Sequence, residues 1–194
     1  LDFGLKDKVA IVAGGGAVGQ EIGNGRAASI LLADAGVKVI VADKEEILAK
    51  NTVKMIQDRG GEAISIGGDL TKSDQCKKVV NFAISRWGRL DILDNNIGVA
   101  SKLSVVDETE ENWNQVMDIN LKPMFLMSKY AIPEMIKSGN GGSIVNISSI
   151  SATRPKGLTT YSASKGAVIS LSQAMAVDHG ANGIRVNCIL PGPV

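Results

Sequence analysis

Val9-Ala10-Ile11-Val12-Ala13-Gly14-Gly15-Gly16-Ala17-Val18-Gly19-Gln20-Glu21-Ile22-Gly23-Asn24-Gly25 is a short apolar run that ends in a string of glycines. Five apolar residues without polar alternation suit a strand buried on both faces, as in a parallel sheet. Glycines directly after such a strand allow a tight turn and let backbone approach a pyrophosphate at the next helix N-terminus. Two registers compete. Gly14-x-Gly16-x-x-Gly19 matches the dinucleotide fingerprint literally, whereas Gly23-Asn24-Gly25 sits directly before the helix. Asp43 lies 18 residues past Gly25 and 24 past Gly19. An acidic residue about 20 positions on is expected to bind the adenosine ribose. That spacing favours Gly25 as the helix-contact glycine, with an enlarged loop before it.

Outward from this stretch, strands and helices alternate. A helix is expected over 26–35, stopped by Gly36, then a strand over 37–42 and a charged helix over 44–59 ending at Gly60-Gly61. A strand at 62–66, a helix at 73–87 and a strand starting at 90–93 follow. Residues 111–137 form a long helical stretch interrupted by Pro123 and Pro133. A strand at 143–147, a helix at 160–178 and a strand at 184–190, ended by Pro191-Gly192-Pro193, complete the pattern. Short apolar strands alternating with helices imply βαβ units. The expectation is one doubly wound, three-layer α/β domain over 1–194, with six parallel strands ordered 3-2-1-4-5-6 (a Rossmann fold).

Tyr161-Ser162-Ala163-Ser164-Lys165 carries the chemistry. Four residues apart on a helix, Tyr161 and Lys165 share a face. A phenol titrates near ~10, too high to exchange protons readily at neutral pH. An ammonium about 4 Å away, at an effective dielectric of about 20, favours the phenolate by roughly 4 kcal/mol. That would bring the phenol down to about 7 and make it an acid/base for a hydroxyl/carbonyl interconversion. A serine twelve residues upstream, Ser149, can hold the substrate oxygen. The plain alternative is a surface tyrosine beside a solvated lysine. Asp43 also bears on cofactor choice: a carboxylate accepts from both ribose hydroxyls and repels a 2′-phosphate, so NAD is preferred over NADP, though Lys44 beside it could offer charge to a phosphate. Asp69-Leu70 and Asn95-Asn96-Ile97-Gly98 stand at the carboxyl ends of strands three and four, where a cofactor crevice forms. Asn120 falls inside a helical pattern, where asparagine is disfavoured unless its amide bonds locally; a distorted helix there could free a carbonyl for a water.

Composition narrows the classes. Hydrophobic content of 44% and charged content of 21% describe a globular chain long enough for one sizeable core. A net charge of +1 gives no electrostatic case for nucleic acid or a membrane surface. No apolar run approaches the ~20 residues of a membrane span, and Leu1-Asp2-Phe3-Gly4 has no secretory pattern. A cytoplasmic protein is expected. Cys76 and Cys188 stand far apart, without a metal or disulfide pattern, and His179 is the only histidine, so no metal is expected and histidine-based catalysis is set aside.

In combination, the glycine-rich turn, Asp43, Asp69, Asn95-Asn96-x-Gly98, Asn120, Asn146-Ile147-Ser148-Ser149, Tyr161-x-x-x-Lys165 and Pro191-Gly192-Pro193-Val194 resemble the short-chain dehydrogenase/reductase family, in the family's order and along the whole chain. The resemblance implies hydride transfer between NAD(H) and a secondary alcohol or ketone. It makes Tyr161 the acid/base, Lys165 the residue that lowers its pKa and holds the nicotinamide ribose, and Ser149 the substrate-positioning residue. Asn120 would support a relay water, and Gly14, Gly23, Asn24, Gly25, Asp43, Asp69, Leu70, Asn96, Gly98, Pro191, Gly192 and Val194 would contact the cofactor. It also implies a homodimer or homotetramer, in which the long helices pair through residues such as Met124, Phe125, Met127, Val168, Leu171 and Met175; the alternative is that these six face the sheet. A substrate-covering segment and a seventh strand would follow Val194.

The chain departs from the family pattern. Ala13 replaces a threonine, eight residues rather than three separate Gly14 from Gly23, Ile97 replaces alanine and Asp94 an apolar strand residue. The Ser149–Tyr161 interval is one residue short; Ser148 would restore it, but the Asn-Ile-Ser-Ser pattern favours Ser149. Two rival readings remain: an NADP-dependent reductase of 3-oxoacyl substrates, and a non-catalytic dinucleotide sensor.

Overall fold

A computed structural model of the chain describes residues 4–19 and 21–192. Six strands, β1 (Val9–Ala13), β2 (Lys38–Asp43), β3 (Ala63–Gly67), β4 (Ile92–Asn95), β5 (Gly142–Ile147) and β6 (Ile184–Ile189), form one sheet in the order β3-β2-β1-β4-β5-β6. Every pairing is parallel. β1 pairs with β2 on one side and β4 on the other, and all five of its residues are buried. That double burial is why it reads as a continuous apolar run rather than an alternating one.

Helices α1 (Asn24–Asp34) and α2 (Glu46–Gln57) cover one face; α3 (Ser73–Trp87), α5 (Lys122–Lys137) and α6 (Thr159–His179) cover the other, with α4 (Glu110–Asn120) leading into α5. The two-residue period of β1 splits its side chains between two cores. Val9, Ile11 and Ala13 join Val80, Met127 and Met135, while Ala10 and Val12 join Ala33, Val53 and Ile56. On β6, Ile184 is buried towards α6, whereas Arg185, Asn187 and Ile189 are exposed.

The 111–137 stretch differs from expectation in one respect. It breaks once, at Leu121, not at both prolines. Pro123 has no N–H to offer the Ile119 carbonyl, so the ladder is weakest there. Pro133 lies inside α5 without ending it. The burial of Ala131, Ile132 and Met135 around it holds the helix through the lost bond. At the other end of the sheet, buried Asp91 accepts from Val9 N–H at 2.9 Å and from Arg89, tying the starts of β1 and β4 together.

Of the six residues expected to serve either the core or a helix-pairing surface, Met124, Met127, Val168 and Met175 are buried within the chain and Leu171 packs against the same core. Phe125 alone is exposed. No helix among the described residues is long and apolar enough to cross a membrane.

Candidate active site

A cleft of about 670 Å³ opens at the carboxyl ends of β1, β2, β3 and β4. Its floor is backbone. A Cβ on Gly25 would stand 2.1 Å from the Gly14 carbonyl oxygen, and one on Gly14 would stand 3.0 Å from backbone atoms of Asn96 and Ile97. Only glycine permits these approaches. Gly14, Gly16, Gly23, Asn24 and Gly25 line the cleft, and Gly25 makes the close contact between turn and helix. Gly19, which the literal fingerprint requires, does not line it. Gly23 caps α1 with no side-chain hydrogen bond, and the first turn carries no acidic residue. The first N–H groups of α1 thus lack an internal acceptor at the positive end of the helix.

Carboxylates mark the far side of the cleft. Asp43 Oδ2 accepts from Gly16 N–H at 3.0 Å and Oδ1 from Glu45 N–H at 3.1 Å. Each oxygen keeps a second lone-pair direction. Asp69 accepts from Thr71 N–H and Oγ1–H, which hold its carboxyl below the usual carboxylate range. Leu70 is buried beside it, and its carbonyl accepts the Cys76 thiol at 3.1 Å. Burial pushes that thiol up to about 12. A backbone-floored crevice, an uncapped helix N-terminus and a carboxylate beyond it fit a dinucleotide.

Asp94 now has a physical role. It is buried, and both oxygens accept from Asn96 Nδ2, at 3.1 and 2.9 Å. Burial raises its carboxyl to about 6, against the opposing effect of that amide. It fixes the side chain of Asn96, which lines the cleft. The neighbouring Asn95 is turned inward: its Nδ2 donates to Asn146 Oδ1 at 2.8 Å, and Asn146 Nδ2 donates to Ser172 Oγ at 2.9 Å. This buried ladder joins β4, β5 and α6.

A second cavity, of about 320 Å³, shares Asn24, Asn96, Gly98 and Val99 with the cleft. Its other walls include Ser148, Ser149, Tyr161, Lys165, Pro191 and Gly192. Tyr161 and Lys165 share a face of α6, with Lys165 Nζ 5.9 Å from the Tyr161 ring centroid. Lys165 is only 4% exposed and donates to the Ile147 carbonyl at 2.8 Å. Desolvation brings its ammonium down to about 8, so it keeps its proton at pH 7. The two serines differ in what they are bonded to. Ser148 Oγ donates to the Lys165 carbonyl at 2.7 Å, which commits it to α6. Ser149 Oγ accepts from Ser151 N–H at 3.2 Å, and its own proton goes to no described residue.

Asn120 is the last residue of α4, fully buried, and its amide is spent locally. Oδ1 accepts from Val99 N–H at 2.7 Å, while Nδ2 donates to the Val99 carbonyl and to Ser164 Oγ, both at 2.9 Å. It thereby clamps the loop after β4 onto α6, one residue before Lys165. Pro193 and Val194 lie outside the described residues. Sequence reasoning missed Gln115, Asp118 and Ile119, which line the cleft from α4. Their i, i+3, i+4 spacing was the available signal.

The match to known proteins is extensive. The short chain dehydrogenase family profile covers residues 8–194. An uncharacterized oxidoreductase of Thermotoga maritima is 39% identical over 97% of this chain and 72% of its own length. A 3-oxoacyl-acyl-carrier-protein reductase of the same organism is 34% identical over 97% of this chain and 74% of its own. A 7 alpha-hydroxysteroid dehydrogenase solved with NADH and 7-oxo glycochenodeoxycholic acid superposes with a TM-score of 0.88 at 36% identity, over 97% of this chain and 71% of that one. With the family profile over 8–194 and these relatives in agreement with the fold, the chain belongs to the short-chain dehydrogenase/reductase family of oxidoreductases.

Proposed function

We propose that the protein interconverts a secondary alcohol and a ketone with NAD(H), using Tyr161 as the acid/base. The observation that carries this reading is the convergence of Ser149, Tyr161 and Lys165 on one small cavity that opens into the glycine-floored cleft. The nicotinamide, when bound, donates or accepts the hydride. The Tyr161 hydroxyl gives its proton to the carbonyl oxygen in reduction and takes it back in oxidation. Charged Lys165, with Nζ 5.9 Å from the Tyr161 ring centroid, reaches the nicotinamide ribose. Ser149, whose hydroxyl proton is uncommitted, donates to the substrate oxygen. The main-chain carbonyl of Asn120, at the break between α4 and α5, holds a relay water, since its side chain is fully used.

For the dinucleotide, α1 and Gly14, Gly23, Asn24 and Gly25 receive the pyrophosphate. Asp43 accepts from the adenosine ribose hydroxyls, Asp69 and Leu70 flank the base, and Asn96, Gly98, Pro191 and Gly192 border the nicotinamide half. Asp43 favours NAD. Lys44 also lines the cleft, and together with the similarity to a 3-oxoacyl reductase it supports an NADP-dependent reductase as the second reading. A cytoplasmic homodimer or homotetramer completes the proposal.

Turnover of a panel of cyclic, steroidal, sugar and hydroxyacyl alcohols with NAD and with NADP is the direct test. Tyr161→Phe should nearly abolish turnover and leave NADH binding intact. A variant that keeps most of its activity would refute the assignment of Tyr161.

A further inference from the structure

Arg26 is a fully buried cation in the first turn of α1, with no carboxylate in contact among the described residues. Both features are unfavourable by themselves. A positive charge opposes the positive end of a helix, and burying an ion without a counter-ion costs more than burying any neutral side chain. Its geometry gives the reason it is there. Nη1 donates to the Gly19 carbonyl at 2.9 Å and to the Glu21 carbonyl at 2.6 Å, and Nη2 donates to the Ala17 carbonyl at 2.6 Å. Nε donates to Thr52 Oγ1 on α2 at 3.1 Å, and Thr52 Oγ1 in turn donates to the Gly15 carbonyl at 2.8 Å. One guanidinium thus gathers three carbonyls of the enlarged loop and anchors them to the next helix.

Nothing apolar does this work. Val18 and Ile22, the large apolar side chains of the loop, are 72% and 69% exposed. The loop is therefore held from below by a hydrogen-bonding fork, which only arginine supplies. Its near end is joined to the cofactor carboxylate: Gly16 N–H donates to Asp43 Oδ2, and a Cβ on Gly16 would stand 2.6 Å from that oxygen and 2.7 Å from Leu48 Cβ. On this side the space beside Asp43 Oδ2 is filled by the Gly16 backbone and the Leu48 side chain.

We infer that Arg26 is a positioning residue for cofactor binding and selectivity: its guanidinium holds the enlarged loop in the shape that keeps Gly16 against Asp43 and leaves Gly23 to Gly25 open to the pyrophosphate. The inference rests on the NAD reading above. A loop that is already ordered need not be ordered on binding, which favours affinity. A carboxylate fixed by Gly16 N–H accepts ribose hydroxyls and excludes a 2′-phosphate from the same place. Lysine cannot replace the fork, because a single ammonium does not span three carbonyls and a hydroxyl.

Titration of NADH and NADPH by fluorescence, without substrate, tests this on the intact protein, together with amide hydrogen exchange. Arg26→Met should raise the dissociation constant for NADH by roughly tenfold, raise that for NADPH less, and speed exchange at Glu21, whose N–H donates to the Val18 carbonyl, while β1 stays protected. Arg26→Lys should behave like Arg26→Met. Thr52→Val, which removes only the far anchor, should move both readouts in the same direction by less, and it carries the test if Arg26→Met does not fold. Folded variants that bind NADH within about twofold of the native protein, or that lose NADH and NADPH affinity in equal proportion, overturn the inference. Native protein that binds no NADH overturns the cofactor reading itself, an outcome visible before any variant is made.

Discussion

Replacing Lys165 with methionine should stabilise the fold more at neutral pH than at pH 10. In the fold, burial brings the ammonium from its ordinary value of 10.5 down to about 8. Unfolded chain therefore binds the proton more tightly than folded chain, so stability rises with pH between those two values. Below pH 8 both states are protonated, and the native fold bears the whole difference, about 3 kcal/mol. At pH 10 the unfolded chain is itself losing the proton, and the cost shrinks to about 1 kcal/mol. Methionine is of similar length and carries no charge. Its other effects, an unsatisfied Ile147 carbonyl and altered packing, are the same at both pH values and cancel in the comparison. Urea unfolding of native and variant protein, followed by far-ultraviolet circular dichroism at pH 7 and pH 10, should show a variant-minus-native stability difference about 2 kcal/mol larger at pH 7. An equal difference at both pH values, or a larger one at pH 10, would refute the reasoning that Lys165 is charged and desolvated in the apoprotein. The same variant should have lost turnover, which separates the stability cost of the site from its use.

Asp43→Ala should weaken NADH binding and narrow its advantage over NADPH; an unchanged affinity ratio in direct titrations would remove Asp43 from the ribose site. Gly25→Ala places a methyl 2.1 Å from the Gly14 carbonyl oxygen. It should abolish NADH binding and lower the melting temperature, whereas Gly19→Ala, whose Cβ meets nothing within 4 Å, should spare NADH binding and cost only the strain of a left-handed backbone. Phe125 on α5 and Trp113 on α4 are 48% and 39% exposed. Light scattering at micromolar concentration should report a dimer or larger, with Phe125→Glu shifting it towards monomer; a monomeric native protein would sink the proposed assembly.

The central strands were readable because burial on both faces leaves β1 and most of β2 as continuous apolar runs. Val9 to Ala13 has the length and continuous apolar character of a strand covered on both faces, and the alternation with helices implies parallel pairing. The spacing of Asp43 from Gly25 pointed to Gly25 as the glycine that packs turn against helix, and the structure places Gly25 in contact with the Gly14 carbonyl and both Gly25 and Asp43 on the cleft. What escaped depends on tertiary partners. Arg26 reads as an ordinary exposed residue at a helix start, because sequence does not reveal that three loop carbonyls converge on it. Asp94 reads as a misplaced charge until Asn96 is seen to fold back onto it. Pro133 reads as a helix end because propensity is local, while the burial of Ala131, Ile132 and Met135 that overrides it is not. Ser148 and Ser149 are chemically identical in sequence; only the bond from Ser148 to the Lys165 carbonyl tells them apart.

β1 lies in the middle of the sheet but enters the chain first, and this sets the order in which the molecule can assemble. Its pairing with β2 is available once the first helix has formed. Its other edge waits for β4, a separation of 82 residues between Val9 and Asp91. Until then a three-stranded half sheet, β3-β2-β1, carries an open apolar edge at β1, and unpaired edges of that kind recruit other chains. Closing so long a loop is slow compared with helix formation. Refolding should therefore pass through a species with α1 and α2 in place and the Tyr161 helix still undocked, and its yield should fall steeply as protein concentration rises.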